Sequence, residues 1–497
     1  MTGRERATTV GQLPTPDAGN SWVPDALTRA AWLLWVASCA VLVAWLGRGE
    51  GWGLSGIVAV DGLTVTMWVA ATFFSGIVHS YSRRYMAGSR TIDRFFLRVF
   101  AFTLAVMVLV AANSLLLFGA AWLAMGLVMA DLIGHADGWP QAQAAAALAR
   151  RYFLAGSGLL AVALATLWWA TGATTVTGVA AATSTATTAT PLLLVAAGLL
   201  LLAAMVQSAL LPFHGWLLSS MTAPTPASAL MHAGFVNAGG VLLVRFAPVV
   251  TVDAGIMLAV VVVGAVSALG GKLLKTVRPD LKGALGCSTV GQMGFMLMQA
   301  GLGFFAAAIT HLVLHGCYKA YQFLASGSRV DRQSPTTSQP TGSAGVVGTV
   351  VIVGTGLAGG LLFAALTGKG TDLDGGLILT GLVVLTVLHA ARDVATSTSV
   401  PATVRYGAVP LVALPALAVY AAAYRGIEAA LSGLPGVAHS AELTAVHGLV
   451  AVGFLAAYVG VERGVYRRSR RLYVTLVNVT RPHSDTLLTS TEDYNEY

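Results

Sequence analysis

The chain has 497 residues, of which 56% are hydrophobic and 10% are charged, and its mean hydropathy is +0.75. Soluble domains carry about 25% charged residues, so this composition excludes an ordinary soluble protein and indicates one that is integral to a membrane. The three cysteines all lie in apolar runs, which excludes a disulfide framework and a CxxC metal site.

About fourteen apolar segments are long enough to span a bilayer. Their apolar residues run continuously and do not alternate with period two, which predicts helices and excludes the strands of a membrane barrel. We therefore expect an all-α polytopic membrane protein. The predicted spans lie near 31–47, 61–80, 95–112, 114–134, 151–171, 191–218, 223–247, 254–271, 281–300, 304–326, 344–367, 376–391, 405–424 and 443–461.

Lysine and arginine are concentrated in alternate loops and directly after the last predicted span. Arg83, Arg84 and Arg94 stand between the second and third spans, and Arg467 and Arg468 follow the last one. By the positive-inside rule, these loops and both termini lie in the cytoplasm. The formal net charge of +8 is then a topology signal, and we expect no nucleic-acid partner.

This topology predicts a multi-pass protein of the cell (plasma or inner) membrane in three regions. Residues 1–30 form a cytoplasmic segment, 31–462 the transmembrane domain and 463–497 a cytoplasmic tail. Two stretches within the domain are predicted loops. The Thr/Ala-rich residues 171–191 should be external, and the polar residues 326–345 should be cytoplasmic.

The sequence richest in polar and helix-breaking residues inside an apolar region is "QSALLPFHGWLLSSMTAPTPASALMHAGFVNAGGVLLVR", Gln207 to Arg245. Pro212 predicts a broken helix there, because proline removes a backbone hydrogen bond. Membrane proteins tolerate such irregular backbone only where it is buried in protein or lines a wet cavity. Thr225 is a candidate N-cap of the next helix, which carries His232 about two turns later.

A second polar pattern is "HLVLHGCYKAY", in which His311, His315 and Lys319 recur at intervals of four. On a helix they form one stripe roughly 12 Å long. A lysine in a bilayer costs on the order of 3 kcal/mol, so something must compensate for it. Three interpretations compete: a metal site, a structural polar network and a proton relay. The missing glutamate of HExxH disfavours metal, and titration of histidine near neutral pH favours the relay.

Four motifs in this order identify a family. They are "DGLTVTMWVAATFFSGIVHSYSRRYMAG", "LPFHGWL…APTPASALMHAG", "DLKGALGCSTVGQMGFM" and "HLVLHGCYKAYQFLASGS". From about Asp61 to Phe323 the chain resembles the proton-conducting membrane subunits shared by respiratory complex I, multisubunit sodium/proton antiporters and membrane-bound hydrogenases. The resemblance implies an antiporter-like bundle with broken helices.

The resemblance also implies a path for H⁺ or Na⁺. The candidate path residues are Lys319, His311, His315, His232, His214, Gln207 and Asp131. His232 could instead be a satisfied core histidine, and His214 could guard the mouth of the path. Asp131 could face the path or cap its helix near the surface. Asp280 and Lys282 should form an interfacial pair.

The chain departs from the energy-converting members at two positions. Leu123 follows Trp122 where those members carry a glutamate, and Gln207 replaces their lysine. The carboxylate–lysine pair of the first half-channel is therefore absent. His389, Arg392 and Asp393 could form the exit of a second half-channel, although the resemblance fades beyond residue 330.

Within the family, "FHGWLLSSMTAPTPASALMHAG" followed by "NAGG" looks most like DabB, the membrane half of the DAB inorganic-carbon accumulation system. This implies a non-enzymatic subunit without a cofactor of its own. Cations flowing down their gradient through this subunit would drive CO2 hydration in a partner protein. The partner would be a large cytoplasmic DabA-like zinc protein, and it could dock on Arg83, Arg84 and Arg94. The alternatives are a subunit of a sodium/proton antiporter or complex I-like oxidoreductase, and a membrane metalloenzyme.

Overall fold

The structure is a computed structural model that describes residues 21–184, 189–329, 345–370, 374–395, 401–438 and 441–486. Within these ranges the chain forms α-helices joined by short turns, together with one two-stranded antiparallel sheet. Trp52 of β1 pairs with Val60 of β2. The all-α class predicted for the membrane domain is confirmed.

The elements follow one another along the chain as α1 Val23–Arg48, β1 Trp52–Leu54, β2 Val58–Val60, α2 Gly62–Tyr85, α3 Ile92–Ala111, α4 Leu115–Ile133, α5 Pro140–Thr171, α6 Val176–Ser184, α7 Pro191–Gln207, α8 Gly215–Ser219, α9 Thr225–Ala233, α10 Ala238–Arg245, α11 Ala247–Val250, α12 Ala254–Lys275, α13 Leu281–Gly301, α14 Phe305–Leu324, α15 Gly345–Thr367, α16 Gly375–Ala395, α17 Ala402–Leu431, α18 Ala445–Glu462, α19 Val465–Arg468 and α20 Arg470–Val479. Short 3₁₀ turns lie at Ser220–Thr222, Phe235–Asn237, Ser326–Arg329 and Ser484–Thr486.

Each of the predicted apolar segments contains a helix, but not every helix meets the requirements of a span. Among the described residues, 10 helices are long and apolar enough to cross a membrane. Two shorter apolar helices lie at Pro191–Gln207 and Ala445–Val461. The membrane-protein class is therefore confirmed, and the count of about fourteen spans stays a prediction.

Aspartates fix the start of several helices. The Asp61 carboxylate accepts the Thr64 N–H at 2.9 Å at the start of α2, and Asp253 accepts the Ile256 N–H at 3.1 Å before α12. The first amides of a helix lack partners within the helix. Each contact therefore gives a hydrogen-bond acceptor to an N–H group that would otherwise be buried without one. Asp61 also pairs with the buried guanidinium of Arg245, which ties α2 to the end of α10.

The predicted helix break is confirmed, and it extends over several turns. α7 ends at Gln207, Ala209 has a positive φ of 51°, and the next helix begins only at Gly215. A second interruption, which we did not predict, separates α9 from α10 at Phe235–Asn237. Residues 235–237 of the second interruption are buried, as expected for irregular structure in a membrane protein, whereas residues 211–214 of the first are partly or fully exposed.

Two local predictions were wrong. Thr225 is the first residue of α9 and its side chain caps no amide; Tyr85 Oη lies 3.4 Å from the Thr225 amide and accepts its hydrogen bond. The predicted loop 171–191 contains helix α6. The start of α6 is held by Asn113, whose backbone and side-chain oxygens accept the N–H groups of Val176 and Thr177 at 2.7 and 3.0 Å.

α12 and α13 approach each other through glycines. A Cβ atom added to Gly271 would lie 2.2 Å from the backbone nitrogen of Gly291, and one added to Gly294 would lie 2.5 Å from that of Ala268. Only residues without a side chain allow this contact, which is the usual way in which membrane helices pack closely. α13, which contributes to the candidate site, is thereby held rigidly.

The segment after α18 packs against the helix break. Tyr466 and Leu476 are buried in one cluster with Leu218 of α8 and Leu274 of α12. The His214 Nε2 atom lies 3.0 Å from the Val479 carbonyl oxygen. The predicted region boundaries at 30 and 462 stay predictions, and most of the predicted loop 326–345 lies outside the described residues.

Candidate functional site: a buried lysine and three histidines

α14 brings its three polar side chains to one buried face. Lys319 has 0% of its surface exposed and His315 has 7%, whereas His311 is partly buried. The rings of His311 and His315 stack with their centroids 5.6 Å apart. The four-residue spacing therefore produces the predicted stripe, and the stripe faces the interior of the bundle.

Among the described residues, the Lys319 amine has one polar partner. Its Nζ atom donates to the carbonyl oxygen of Leu285 in α13 at 2.8 Å. It forms no ion pair with a described carboxylate, and the buried polar side chains of the described residues include neither Asp nor Glu. A lysine in this setting marks a functional site by default, because a protein core gains nothing from an uncompensated amine.

His232 joins the stripe from α9. Its Nδ1 atom lies 2.9 Å from Thr289 Oγ1, and that hydroxyl lies 3.0 Å from the Leu285 carbonyl oxygen that Lys319 also contacts. The His232 ring stacks on Phe323 with centroids 4.4 Å apart. His315 stacks on His311, and Lys319 and His232 meet at the same turn of α13, so the four groups form one cluster.

A cavity of about 430 Å³ begins at the His311 end of this cluster. It lies among α12, α13, α14, α16, α17 and α18, and most of its wall is apolar. Its polar lining includes His311, Gln299, Tyr420, Lys272 and Lys275. A cavity with several polar side chains provides room for water beside His311. That the stripe faces a hydrated path, with Lys319 near mid-membrane, stays a prediction.

The corresponding part of the first half holds neutral groups. The Gln207 Nε2 atom donates to the Phe235 carbonyl oxygen at 3.4 Å, and Ser208 Oγ donates to that of Val236 at 2.7 Å. Trp216 Nε1 donates to the Val206 carbonyl oxygen at 3.0 Å. These bonds add side-chain donors to carbonyl groups at the helix breaks, where the Phe235 and Val206 oxygens also accept the N–H groups of Ala238 and Ala209. Gln207 is thus buried within a packed polar junction.

The other two predicted path residues lie outside the cluster. His214 sits at the helix break, where Nδ1 lies 3.2 Å from the Pro212 carbonyl oxygen, and it also contacts the tail. Asp131 lies in the last turn of α4 and forms a half-exposed ion pair with Arg150 at 2.6 Å. That pair accounts for the charge of Asp131. For both residues, a role in the path stays a prediction.

A charged network surrounds Asp131. Arg98 donates to the Asp131 backbone carbonyl oxygen at 3.0 Å, and Thr91 Oγ1 lies 2.9 Å from His135 Nε2. Burial of the ring, followed by the charges of Arg98 and Arg94, lowers the pKa of His135 to about 4. His135 is therefore neutral at physiological pH and serves as a hydrogen-bonding element at this end of the bundle.

The predicted pair of Asp280 and Lys282 is wrong. Asp280 pairs with Arg278 at 2.6 Å and accepts the Gly283 N–H, so it caps α13. Lys282 Nζ donates to the carbonyl oxygens of Met221 and Ala223, at 3.4 and 3.1 Å. The lysine points to the turn before α9 because that turn offers carbonyl groups without helical partners.

Two further predictions have limited counterparts in the structure. The side chains of His389 and Asp393 lie outside the described residues, so the second exit stays a prediction. Among the described residues, no group of three or more His, Cys, Asp or Glu side chains is placed to hold a metal ion.

Thr289 is a site residue that the sequence analysis did not predict. Its hydroxyl stands inside the apolar motif "CSTVGQMGF", and a polar group in such a run could have indicated a functional position.

Two family models match the sequence of the chain. Residues 112–342 match the family model described as NADH:quinone oxidoreductase/Mrp antiporter, TM. Residues 51–96 match the model described as NADH-Ubiquinone oxidoreductase (complex I), chain 5 N-terminus. Together the two models match more than half of the chain.

Two curated relatives are inorganic carbon transporter subunits by name. The chain is 39% identical over 292 residues to the probable inorganic carbon transporter subunit DabB1 of Halothiobacillus neapolitanus, covering 58% of this chain and 52% of that protein. It is 32% identical over 278 residues to the probable subunit DabB of Hydrogenovibrio crunogenus, covering 55% and 53%. The chain thus spans about half the length of the curated relatives it matches.

A solved structure shares the fold. The chain is similar to one in the Mrp complex from Dietzia sp. DQ12-45-1b, with a TM-score of 0.60, 20% identity, and coverage of 92% of this chain and 56% of that chain. At this identity the likeness concerns the fold alone. With both family models matched, the chain belongs to the family of membrane subunits shared by NADH:quinone oxidoreductases and Mrp antiporters.

Proposed function

We propose that this chain conducts protons across the cell membrane and couples their flow to the hydration of CO2 to bicarbonate by a large cytoplasmic partner. The matched family supports a cation-conducting subunit. The DabB relatives, named as inorganic carbon transporter subunits, support inorganic carbon as the substrate of the assembly. The partner would resemble DabA and would hold the zinc.

The observation that carries the proposal is the position of Lys319. Its amine is fully buried, contacts one carbonyl oxygen at 2.8 Å and forms no ion pair with a described carboxylate. Without a counter-charge to hold it charged, the amine can exchange a proton with a neighbouring base. His232, His315 and His311 are such bases, because imidazole both accepts and donates protons near neutral pH.

The order of the groups gives the path a direction. His311 borders the cavity, and the His315 ring stacks on the His311 ring. Lys319 and His232 both contact the Leu285–Thr289 turn of α13. A proton from the cavity would pass the two stacked histidines before it reached the lysine.

The cluster contains no carboxylate, so it lacks the charged oxygen ligands that would favour a hard cation such as Na⁺.

The cytoplasmic face would receive the partner. Of the arginines predicted to dock it, Arg83 pairs with Asp25 at 2.8 Å and Arg94 pairs with Asp137. Arg84 is exposed and forms no ion pair among the described residues, so it is the strongest of the three candidates. We propose, on the positive-inside pattern, that this face and both termini are cytoplasmic.

A second candidate is a subunit of a sodium/proton antiporter or of a complex I-like NADH:quinone oxidoreductase. Both family models and the fold shared with the Mrp complex favour it. This candidate predicts Na⁺-dependent transport or electron-transfer-dependent pumping in a larger membrane assembly. The first candidate predicts a requirement for one cytoplasmic zinc partner.

Complementation distinguishes the two candidates. The chain and a DabA-like protein encoded beside it would be expressed, together and separately, in a bacterial host that lacks its carbonic anhydrases. We expect growth in air from the pair and from neither protein alone, and no growth with the Lys319→Ala chain at equal membrane levels. No growth from the pair, combined with rescue of a sodium-sensitive host by the chain and its neighbouring membrane subunits, would favour the antiporter.

A further inference from the structure

Thr289 occupies the junction between Lys319 and His232. Its side chain is fully buried, and its Oγ1 atom lies 3.0 Å from the Leu285 carbonyl oxygen and 2.9 Å from His232 Nδ1. The Lys319 amine donates to the same carbonyl oxygen at 2.8 Å. One hydroxyl and one carbonyl group therefore connect the lysine of α14 to the histidine of α9.

The hydrogen-bonding capacities of these groups assign the proton on the ring. A carbonyl oxygen only accepts, so the single hydroxyl hydrogen of Thr289 is directed at Leu285. The hydroxyl oxygen must then accept a hydrogen bond from His232, and Nδ1 must carry the proton that is donated. In the neutral ring, Nε2 is consequently the free base.

The surroundings of Nε2 fit that assignment. This nitrogen is buried and has no hydrogen-bond partner among the described residues. The ring cannot swing away easily, because it stacks on Phe323 and is fully buried at the end of α9. His315, which interacts electrostatically with His232, also has two buried ring nitrogens without partners in the described part of the chain.

We propose that Thr289 is a positioning residue that holds His232 in the Nδ1–H tautomer and so keeps Nε2 available for proton transfer. The inference rests on the proposed proton conduction and adds a residue that couples the lysine to the histidine. When Lys319 moves or changes charge, the Leu285 carbonyl oxygen loses or gains a strong donor. The strength of the hydrogen bond from the Thr289 hydroxyl to that oxygen then changes as well. The orientation of His232, which is bonded to the same hydroxyl, changes in turn.

The first test separates the hydroxyl from the volume of the side chain. Proton flux would be measured in proteoliposomes that contain the whole complex of this chain and its partner. Thr289→Val keeps the shape of the side chain and removes its hydroxyl. We expect flux to fall roughly five- to tenfold, because one ordinary hydrogen bond changes the ratio of two tautomer populations by about this factor. Thr289→Ser restores the hydroxyl and should stay within about twofold of wild type.

Thr310 is a matched control. It is equally buried in α14, but within the described part of the chain its hydroxyl donates only to the Ala306 carbonyl oxygen of its own helix, at 2.7 Å. Thr310→Val should therefore leave flux within about twofold of wild type. Because Thr289 acts through His232, adding Thr289→Val to His232→Ala should cause no further loss. Equal flux in Thr289→Val and wild type, or a Ser variant as impaired as Val, would overturn the proposal.

The second test does not depend on transport. Solid-state NMR of complexes labelled with ¹⁵N-histidine, with His232→Ala used to assign the signal, reports which ring nitrogen carries hydrogen. We expect Nδ1–H in wild type and in Thr289→Ser, and a mixture of tautomers in Thr289→Val. An Nε2–H ring in wild type would refute the role of Thr289, whereas a wild-type complex that conducts no protons would refute the proposed function.

Discussion

The two halves of the bundle treat interrupted helices and buried polar groups in different ways. Around Gln207, amide, hydroxyl and indole groups donate to carbonyl oxygens at the helix breaks. Around Lys319, one amine and three imidazoles are buried together beside a cavity, with few hydrogen bonds between them. The first region satisfies its polar groups as a structural junction does. The second buries titratable groups that form no ion pair with a described carboxylate.

On the proposed function, this difference means that a broken helix alone does not make a conducting site. Both regions belong to the same packed interior, and α9, with its buried His232, directly precedes the 3₁₀ turn that binds Gln207. The distinguishing property is the titratable side chain, which Gln207 and Leu123 do not supply. A charge-pair switch needs two opposite charges that meet and separate, and neither of these two positions carries a charge.

The largest effect should come from removing the lysine. We expect Lys319→Ala to lower flux at least about 100-fold, the scale on which a positioned acid–base group acts. Lys319→Met should be equally inactive yet retain or raise the melting temperature of the complex, since it removes an amine without a counter-charge. The measurements are proton flux and thermal unfolding. A Met variant that fails to assemble would show that Lys319 is structural.

A smaller loss should follow from His232→Ala. His232 is one of three imidazoles in the cluster, so its removal should slow conduction roughly tenfold and not abolish it. The same flux assay, with membrane levels checked by blotting, measures the ratio between this variant and Lys319→Ala. Equal losses in the two variants would mean that the histidine and the lysine act as a single unit.

A glycine beside His315 offers a geometric test. A Cβ atom at Gly316 would lie 2.8 Å from the Ala233 carbonyl oxygen and 2.6 Å from the Phe74 ring, so Gly316→Ala should push α14 away from α9. We expect flux to fall several-fold, because transfer between groups depends on their separation. The control is Gly198→Ala in α7, where a Cβ meets nothing within 4 Å and alanine favours the helix. An unaffected Gly316→Ala variant would contradict the close approach.

Sequence alone predicted the class of the fold, the break after Gln207 and the buried face of α14. Hydropathy, proline and the four-residue spacing are local properties, so they survive any packing of the helices. The links across helices could not be predicted. Thr289 and the Leu285 carbonyl oxygen reach the site because α13 packs against both α14 and α9, which are far from it in sequence.

The wrong predictions have the same origin. Asp280 and Lys282 are neighbours in sequence, but each found a partner set by tertiary structure: Arg278 for the aspartate and the turn before α9 for the lysine. Thr225 looked like an N-cap, yet its amide meets Tyr85 of α2. Charge and capping patterns indicate which side chains are able to form ion pairs or caps. Tertiary packing decides which of these side chains come into contact.

The most direct measurement of the division between the two halves compares Gln207→Ala with Lys319→Ala. Proton flux would be recorded after an imposed pH step in proteoliposomes of the complex, at matched protein content. Gln207 gives up one long hydrogen bond of 3.4 Å and no titratable proton, so flux should stay within about twofold of wild type, while Lys319→Ala falls to background. A Gln207→Ala variant as damaged as Lys319→Ala, at equal assembly, would contradict the account.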